Sequence, residues 1–246
     1  MSRDASAEMG MNKTGMGTAP RLSKEMVQSS SEVAVSGNGG ITAGDLRLAY
    51  IQQGAKVGSV PPPSSVKGMA KSALQALKGE KATVLIDKLA ERLAFERSGT
   101  RLYEALMLKC NAFDGADRAA TIAKLEHIYK EELEHFHMLW ECLETLGADP
   151  TVQTPSADVA AVASQGIPKV LLDPRTTFAQ CLEAIMTAEL VDGDAWERLT
   201  ELAEGFNQTE MAEQFRQATR HEKEHQVIIR ELLRQETNGE AGISVT

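Results

Sequence analysis

The chain has 246 residues, 42% apolar, 25% charged and only 4% aromatic, with a net charge of −9. That length is ample for a buried core, and 19 glycines and 8 prolines beside such an apolar fraction exclude collagen-like, mucin-like and wholly disordered chains. The three cysteines, Cys110, Cys142 and Cys181, form no Cys-x-x-Cys pair, which disfavours a disulfide framework, an iron–sulfur site and a zinc ribbon, while the acidic balance disfavours nucleic acid as a partner.

Residues 1–41 are rich in Gly, Ser and Met without a sustained apolar period, and they read as a mobile tail. No apolar leader is visible there. Nor does any stretch reach about 18 uncharged apolar residues, so no membrane span is expected and the reading is a cytoplasmic protein. Residues 42–80 read as an arm of two short helices. The first covers 42–55, with Asp45 as its cap and Leu46, Leu48, Tyr50 and Ile51 as apolar contacts. Pro61, Pro62 and Pro63 break the chain, and Ser64 or Ser65 starts a second helix carrying Val66, Met69, Ala73, Leu74 and Leu77 before Gly79.

Four long helical patterns fill residues 81–236, each with an apolar seam advancing in steps of three and four. The first runs Ile86, Leu89, Leu93, Glu96, Thr100, Tyr103, Met107, Cys110, and the second Ile122, Leu125, Tyr129, Glu132, Phe136, Leu139, Leu143, Leu146. The third runs Phe178, Leu182, Ile185, Glu189, Asp192, Trp196, Leu199, Ala203, and the fourth Met211, Phe215, Ala218, Glu222, His225, Ile229, Leu232. Short connections around Gly115 and at 205–208 make each pair antiparallel. Residues 147–175, with four prolines, are long enough to return along the bundle and start the third helix parallel to the second. An all-α bundle of two helical hairpins joined by a long crossover follows, with 237–246 as a polar tail.

Every seam carries a glutamate near its middle. A bare buried carboxylate costs several kcal/mol even after relaxation, and four would also repel one another. Two divalent cations cancel four carboxylates, and oxygen donors suit iron or manganese. Glu132 with His135, and Glu222 with His225, are both Glu-x-x-His, which places both side chains on one helix face. Glu96 and Glu189 add one glutamate each from the other two helices. The repetition carries the weight: Glu96 to Glu132 spans 36 residues and Glu189 to Glu222 spans 33, as in a duplicated site.

Other candidates read more plainly. Glu134 and His137 form a third Glu-x-x-His, but His137 lies about 200° around the helix from His135 and reads as a surface residue. His127 and His221 read as polar helix face, with support of the site as the alternative. Asp192 reads as a further ligand or as a carboxylate behind one. Tyr129 reads as a core tyrosine bonded to a ligand, Trp140 and Trp196 as bundle filler, and the cysteines as small buried residues.

In the segments Phe95-Glu96-Arg97, Glu131-Glu132-Leu133-Glu134-His135, Ala188-Glu189-Leu190 and His221-Glu222-Lys223-Glu224-His225, the chain resembles the ferritin-like di-iron carboxylate superfamily of bacterioferritins, rubrerythrins and carboxylate-bridged oxidases. The resemblance covers about residues 81–236. It implies that Glu132 and Glu222 bridge two iron ions, with Glu96 and His135 as terminal ligands of one and Glu189 and His225 of the other. It also implies a redox role for Tyr103, seven residues after Glu96. Leu133 stands where bacterioferritin has a haem-ligating Met, so no haem is expected. Without a four-cysteine iron domain there is no in-chain electron donor of the rubrerythrin kind. A fifth ferritin helix is also missing, which speaks against cage-type iron storage, although a smaller homo-oligomer is compatible.

The expected activity is reduction of dioxygen or peroxide at two iron ions, with manganese as the alternative metal, and with iron itself or an external electron donor as reductant. An oxygenase or hydroxylase of a small organic substrate, and an iron-binding or storage protein without turnover, are the alternatives.

Overall fold

The computed structural model describes residues 15–32, 41–63, 66, 68, 69, 82–113 and 118–243. All regular structure among them is helical. The helices are α1 (Pro20–Glu32), α2 (Ala43–Gln53), α3 (Ala82–Ala112), α4 (Arg118–Thr145), α5 (Pro155–Ala163), α6 (Gly166–Leu172), α7 (Phe178–Gly205) and α8 (Thr209–Glu240). Of the second arm helix expected after the prolines, Val66, Gly68 and Met69 are helical and the rest lies outside the described residues, as does Gly115.

The chain divides into two compact units, residues 6–57 and a larger one built on residues 58–246. In the smaller unit the stretch expected to be a tail contains a helix, α1. It opens on Pro20, whose ring suits a first helical position, carries an Arg21–Glu25 pair one turn apart at 3.0 Å, and buries no side chain. The cap of α2 also differs from the expectation. Thr42 is the N-cap, its hydroxyl accepting the Asp45 N–H while the Asp45 carboxylate accepts the Thr42 N–H, which makes Asp45 the third helical residue of a capping box. The expected contacts Leu46, Leu48, Tyr50 and Ile51 are exposed.

In the larger unit α3 packs along α4 and α7 along α8, with α3 also against α7 and α4 against α8. Two buried clusters fill the bundle. One joins the start of α3 (Leu85–Leu93), the end of α4 with the residue after it (Leu139–Leu146), the end of α7 (Trp196–Ala203) and the start of α8 (Met211–Ala218). The other joins the opposite ends, with Leu102, Leu106, Leu125, Ile128, Leu182, Ile185 and Ile229. The shared ends make α3 and α4 antiparallel, α7 and α8 antiparallel, and α4 parallel to α7. Between the two clusters the seams carry polar residues.

The turns fit their residues. Gly147 takes φ +80° after α4 and lets the Ala148 N–H reach the Leu143 carbonyl at 3.0 Å, while Asn207 takes the left-handed φ of 57° between α7 and α8. A capping box of Thr177 and Gln180 starts α7. Helix α8 runs past the expected end at 236, to Glu240. The crossover contains two short helices. Asp87 of α3 accepts both the N–H and the hydroxyl of Ser156, at 3.0 and 2.7 Å, so α3 supplies the cap of α5; Lys109 of α3 donates to the Asp173 carbonyl at 2.6 Å, at the end of α6. All three cysteines are free and buried.

Candidate metal centre

Glu96 (α3), Glu132 and His135 (α4), Glu189 (α7), and Glu222 and His225 (α8) are all buried between the two apolar clusters. One ligand atom from each of Glu96, Glu132, His135 and Glu222 lies within 4.8 Å of the others, and the same holds for Glu132, Glu189, Glu222 and His225. Glu132 and Glu222 belong to both groups. Each hairpin delivers one lone glutamate and one Glu-x-x-His pair, because three residues of helix turn the chain by about 300° and leave both side chains on the inner face.

The atoms turned inward have no directed partner. Oε2 of Glu96, both Glu222 oxygens, Oε1 of Glu132, Oε2 of Glu189 and the Nδ1 atoms of His135 and His225 are buried without a hydrogen bond, while Oε1 of Glu96 faces Arg92 Nε. Nδ1 of His135 lies 3.1 Å from Glu222 and 3.7 Å from Glu96, and Nδ1 of His225 lies 3.4–3.5 Å from Glu132, Glu189 and Glu222. Buried polar atoms are otherwise nearly always satisfied, so a knot of carboxylate oxygens and imidazole nitrogens left open at one point could hold a cation. Oxygen and imidazole donors suit hard or borderline divalent ions.

Without a cation the cluster holds protons instead. Burial drives the Glu132 carboxyl well above the ordinary range, and Glu96 and Glu222 push the same way. Burial opposes the charge on His135, but Glu222 and Glu96 outweigh it and hold the imidazole up at about 10. His225 is raised too, against its burial, by Glu132, Glu189 and Glu222. Burial also favours a neutral Glu222, yet the two imidazoles hold it down at about 2. A cation held there at neutral pH would displace protons from both histidines.

Residues around the cluster orient it. His225 Nε2 lies 2.9 Å from Glu131, and His135 Nε2 lies 3.2 Å from His221 Nδ1. Each imidazole thus faces inward with Nδ1 and is fixed through its other nitrogen. Tyr103 donates its hydroxyl to Glu189 at 2.5 Å, and burial beside that carboxylate holds the phenol well above its ordinary pKa. Arg92, 3% exposed, pairs with Glu96 at 3.2 Å and with Asp192 at 3.0 Å, so Asp192 sits behind the cluster and outside both groups. Two glycines allow close approach. A Cβ on Gly99 would lie 2.4 Å from Glu132 Oε2, and one on Gly193 would lie 2.6 Å from Gln226, whose amide donates to the Glu189 carbonyl at 3.1 Å.

The remaining candidates lie apart. His137 is exposed and bonded to the Leu133 carbonyl, and His127 pairs from the surface with Glu131 at 3.5 Å. Tyr129 does not bond a residue of the cluster; it is half-buried and donates to Glu104 at 3.3 Å. Trp196 packs edge-on against His135 at 5.3 Å and Trp140 packs on Phe136. Sequence reasoning passed over Glu131, Arg92 and Gly99. Arg92 carried a usable signal, a cation one turn before a buried glutamate on the same face; Glu131 and Gly99 carried none without the partner helix.

Fold and cluster together define a helical bundle built around a buried carboxylate and histidine site. The family model of the ferritin-like domain matches residues 86–237, and the chain belongs to that family. No curated protein matches it. Among solved structures the chain is similar to a ferritin-like, diiron-carboxylate protein from Bacillus anthracis str. Ames, with 23% identity, a TM-score of 0.48, and coverage of 61% of this chain and 94% of that one. No helix among the described residues is long and apolar enough to cross a membrane.

Proposed function

We propose that the protein is a di-iron oxidoreductase that consumes dioxygen or peroxide, with iron itself or an external donor as reductant. One observation carries this reading: Glu132 and Glu222 are common to both groups of ligand atoms, with Glu96 and His135 completing one and Glu189 and His225 the other. That is the arrangement two bridged cations need. Two ferrous ions held there would supply two electrons to dioxygen or peroxide. The four carboxylates would hold them, the imidazole protons would be released on binding, and Glu131 and His221 would keep both rings aimed. Tyr103 would be the side chain oxidised, a reading supported by its hydrogen bond to Glu189, which could take its proton.

An oxygenase of an organic substrate is the second reading, favoured by a cavity that shares Arg92 with the site. Metal analysis of the isolated protein separates iron from manganese. Ferrous titration in air, followed by ferric absorbance and an oxygen electrode, tests the activity. Two irons per chain and oxygen uptake are expected, and both are abolished in Glu132→Ala with Glu222→Ala. A double variant that still binds two irons overturns the assignment. Light scattering is expected to show a species far smaller than a 24-subunit shell.

A further inference from the structure

The two hairpins deliver the same inner donors, but the side chains behind those donors differ. Each lone glutamate turns one oxygen to an imidazole of the cluster and the other to a neighbour. Oε2 of Glu96 lies 3.7 Å from His135, while its Oε1 meets the Arg92 guanidinium at 3.2 Å. Oε2 of Glu189 lies 3.5 Å from His225, while its Oε1 accepts the Tyr103 hydroxyl at 2.5 Å. The imidazoles differ in the same sense. Behind His225 stands the carboxylate of Glu131, 2.9 Å from Nε2; behind His135 stands a second imidazole, His221, at 3.2 Å.

These neighbours act on a bound ion through charge. Arg92 is buried, so solvent screens it little, and a guanidinium touching a ligand carboxylate both competes for its oxygen and repels the ion. Asp192 offsets that charge, but it pairs with Nη1 at 3.0 Å, and the positive end of the pair is the one that meets Glu96. The Tyr103 hydroxyl brings no charge to Glu189. A carboxylate on the outer nitrogen of an imidazole makes the ring a stronger metal donor, and an acceptor without charge does so less. Both differences favour the same position.

Given the two-cation reading of the cluster, on which this rests, we propose that its two positions are unequal. The position at Glu189 and His225 holds its ion tightly, and the position at Glu96 and His135 holds an exchangeable one, with Arg92 and Glu131 as the positioning residues that set the difference. Repulsion between two ions would split binding into two steps even in a symmetric cluster, so the decisive measurement is where a single ion sits. Crystals of the full chain loaded with one equivalent of zinc should give an anomalous peak beside Glu189 and His225 that exceeds the one beside Glu96 and His135 by about tenfold or more. Equal peaks, or a larger peak beside Glu96 and His135, would overturn the proposal and leave the two-cation reading standing. Zinc at neither position would remove both. In solution, His225→Ala should weaken the first zinc by about 10–100-fold, whereas His135→Ala should leave it nearly unchanged. Equal losses, or the reverse order, would overturn the assignment. Arg92→Gln with Asp192→Asn removes both charges of the buried pair together and leaves neither unpaired. With melting of the metal-free protein as the control for folding, that double variant should tighten the second zinc by about tenfold. A second zinc bound no more tightly than in the native chain would overturn the role of Arg92.

Discussion

His225 on α8 and Glu131 on α4, 94 residues apart in sequence, meet at 2.9 Å through Nε2 and a carboxylate oxygen, while the other ring nitrogen faces the carboxylate cluster. The contact ties one hairpin's imidazole to the other hairpin's backbone element, so the direction of His225 is set by the bundle and not by its own helix.

Glu131→Ala is therefore expected to weaken metal binding by about 10–100-fold while every inward-facing donor stays in place. Competitive zinc titration with a chromophoric chelator reads this directly. Glu131→Gln, which retains an acceptor, should lose less than the alanine variant. Equal losses would assign Glu131 a charge effect instead of an orienting one.

Gly99 makes a separate prediction. Its missing side chain is what leaves room for Glu132 Oε2, and the obstructed atom is the end of a flexible carboxylate. Gly99→Ala should displace that oxygen and cost at least tenfold in metal affinity. The metal-free protein should keep its stability or gain, since alanine in a helix interior is favoured over glycine by about 0.5–1 kcal/mol. Chemical denaturation of the metal-free form, beside zinc titration, separates the two effects.

Glu132→Gln should likewise stabilise the metal-free protein, because it removes a carboxyl that burial and two neighbouring glutamates penalise. A buried carboxyl whose folded pKa is raised costs stability at neutral pH relative to the unfolded chain, a cost that an amide does not carry. The same variant should lose most of the stabilisation that added metal confers. Thermal melts with and without zinc give both numbers.

The pH dependence follows from the paired shifts. His135 is held at about 10, so its contribution to metal-free stability is complete below the unfolded value of about 6.5 and fades as pH rises toward 10. Glu222 is held at about 2, so its contribution is complete above the unfolded value of about 4.3 and fades as pH falls toward 2. Metal-free stability should peak between about 4.5 and 6.5. Metal affinity runs the other way and should rise from pH 6 to 8, because the imidazole protons that a metal must displace compete less well as the proton concentration falls. Melting midpoints across pH, with and without zinc, together with proton release on zinc addition, check both halves.

Tyr103→Phe removes the hydroxyl that satisfies Glu189 and leaves a buried acceptor open, at a cost of about 1–3 kcal/mol in the metal-free protein. If the tyrosine is also oxidised during turnover, the variant should lose a tyrosyl signal in freeze-quenched electron paramagnetic resonance while keeping its metal content.

Much of the bundle was legible before any coordinates. The steps of three and four that put Ile86, Leu89 and Leu93 on one line continue through Glu96, and a helix that buries the first three must bury the fourth. The same register argument placed Glu132, Glu189 and Glu222 inward, and Glu-x-x-His added His135 and His225. Register was silent about α1, which buries no residue and rests on a proline start and a local ion pair. It also misplaced the contacts of α2, since a helix with apolar residues need not have a neighbour to bury them.

Residue spacing thus sufficed to establish the helices, the hairpin pairing and which glutamates face inward, because helical periodicity is a local property written in every turn. The partners of those residues were not local. Glu131 on His225, His221 on His135, Arg92 between Glu96 and Asp192, and the gap between α5 and α7 arise from helices distant in sequence brought side by side. Which atom of one helix meets which atom of another depends on axial offset and rotation, and those are set only when the two apolar clusters close around the polar belt.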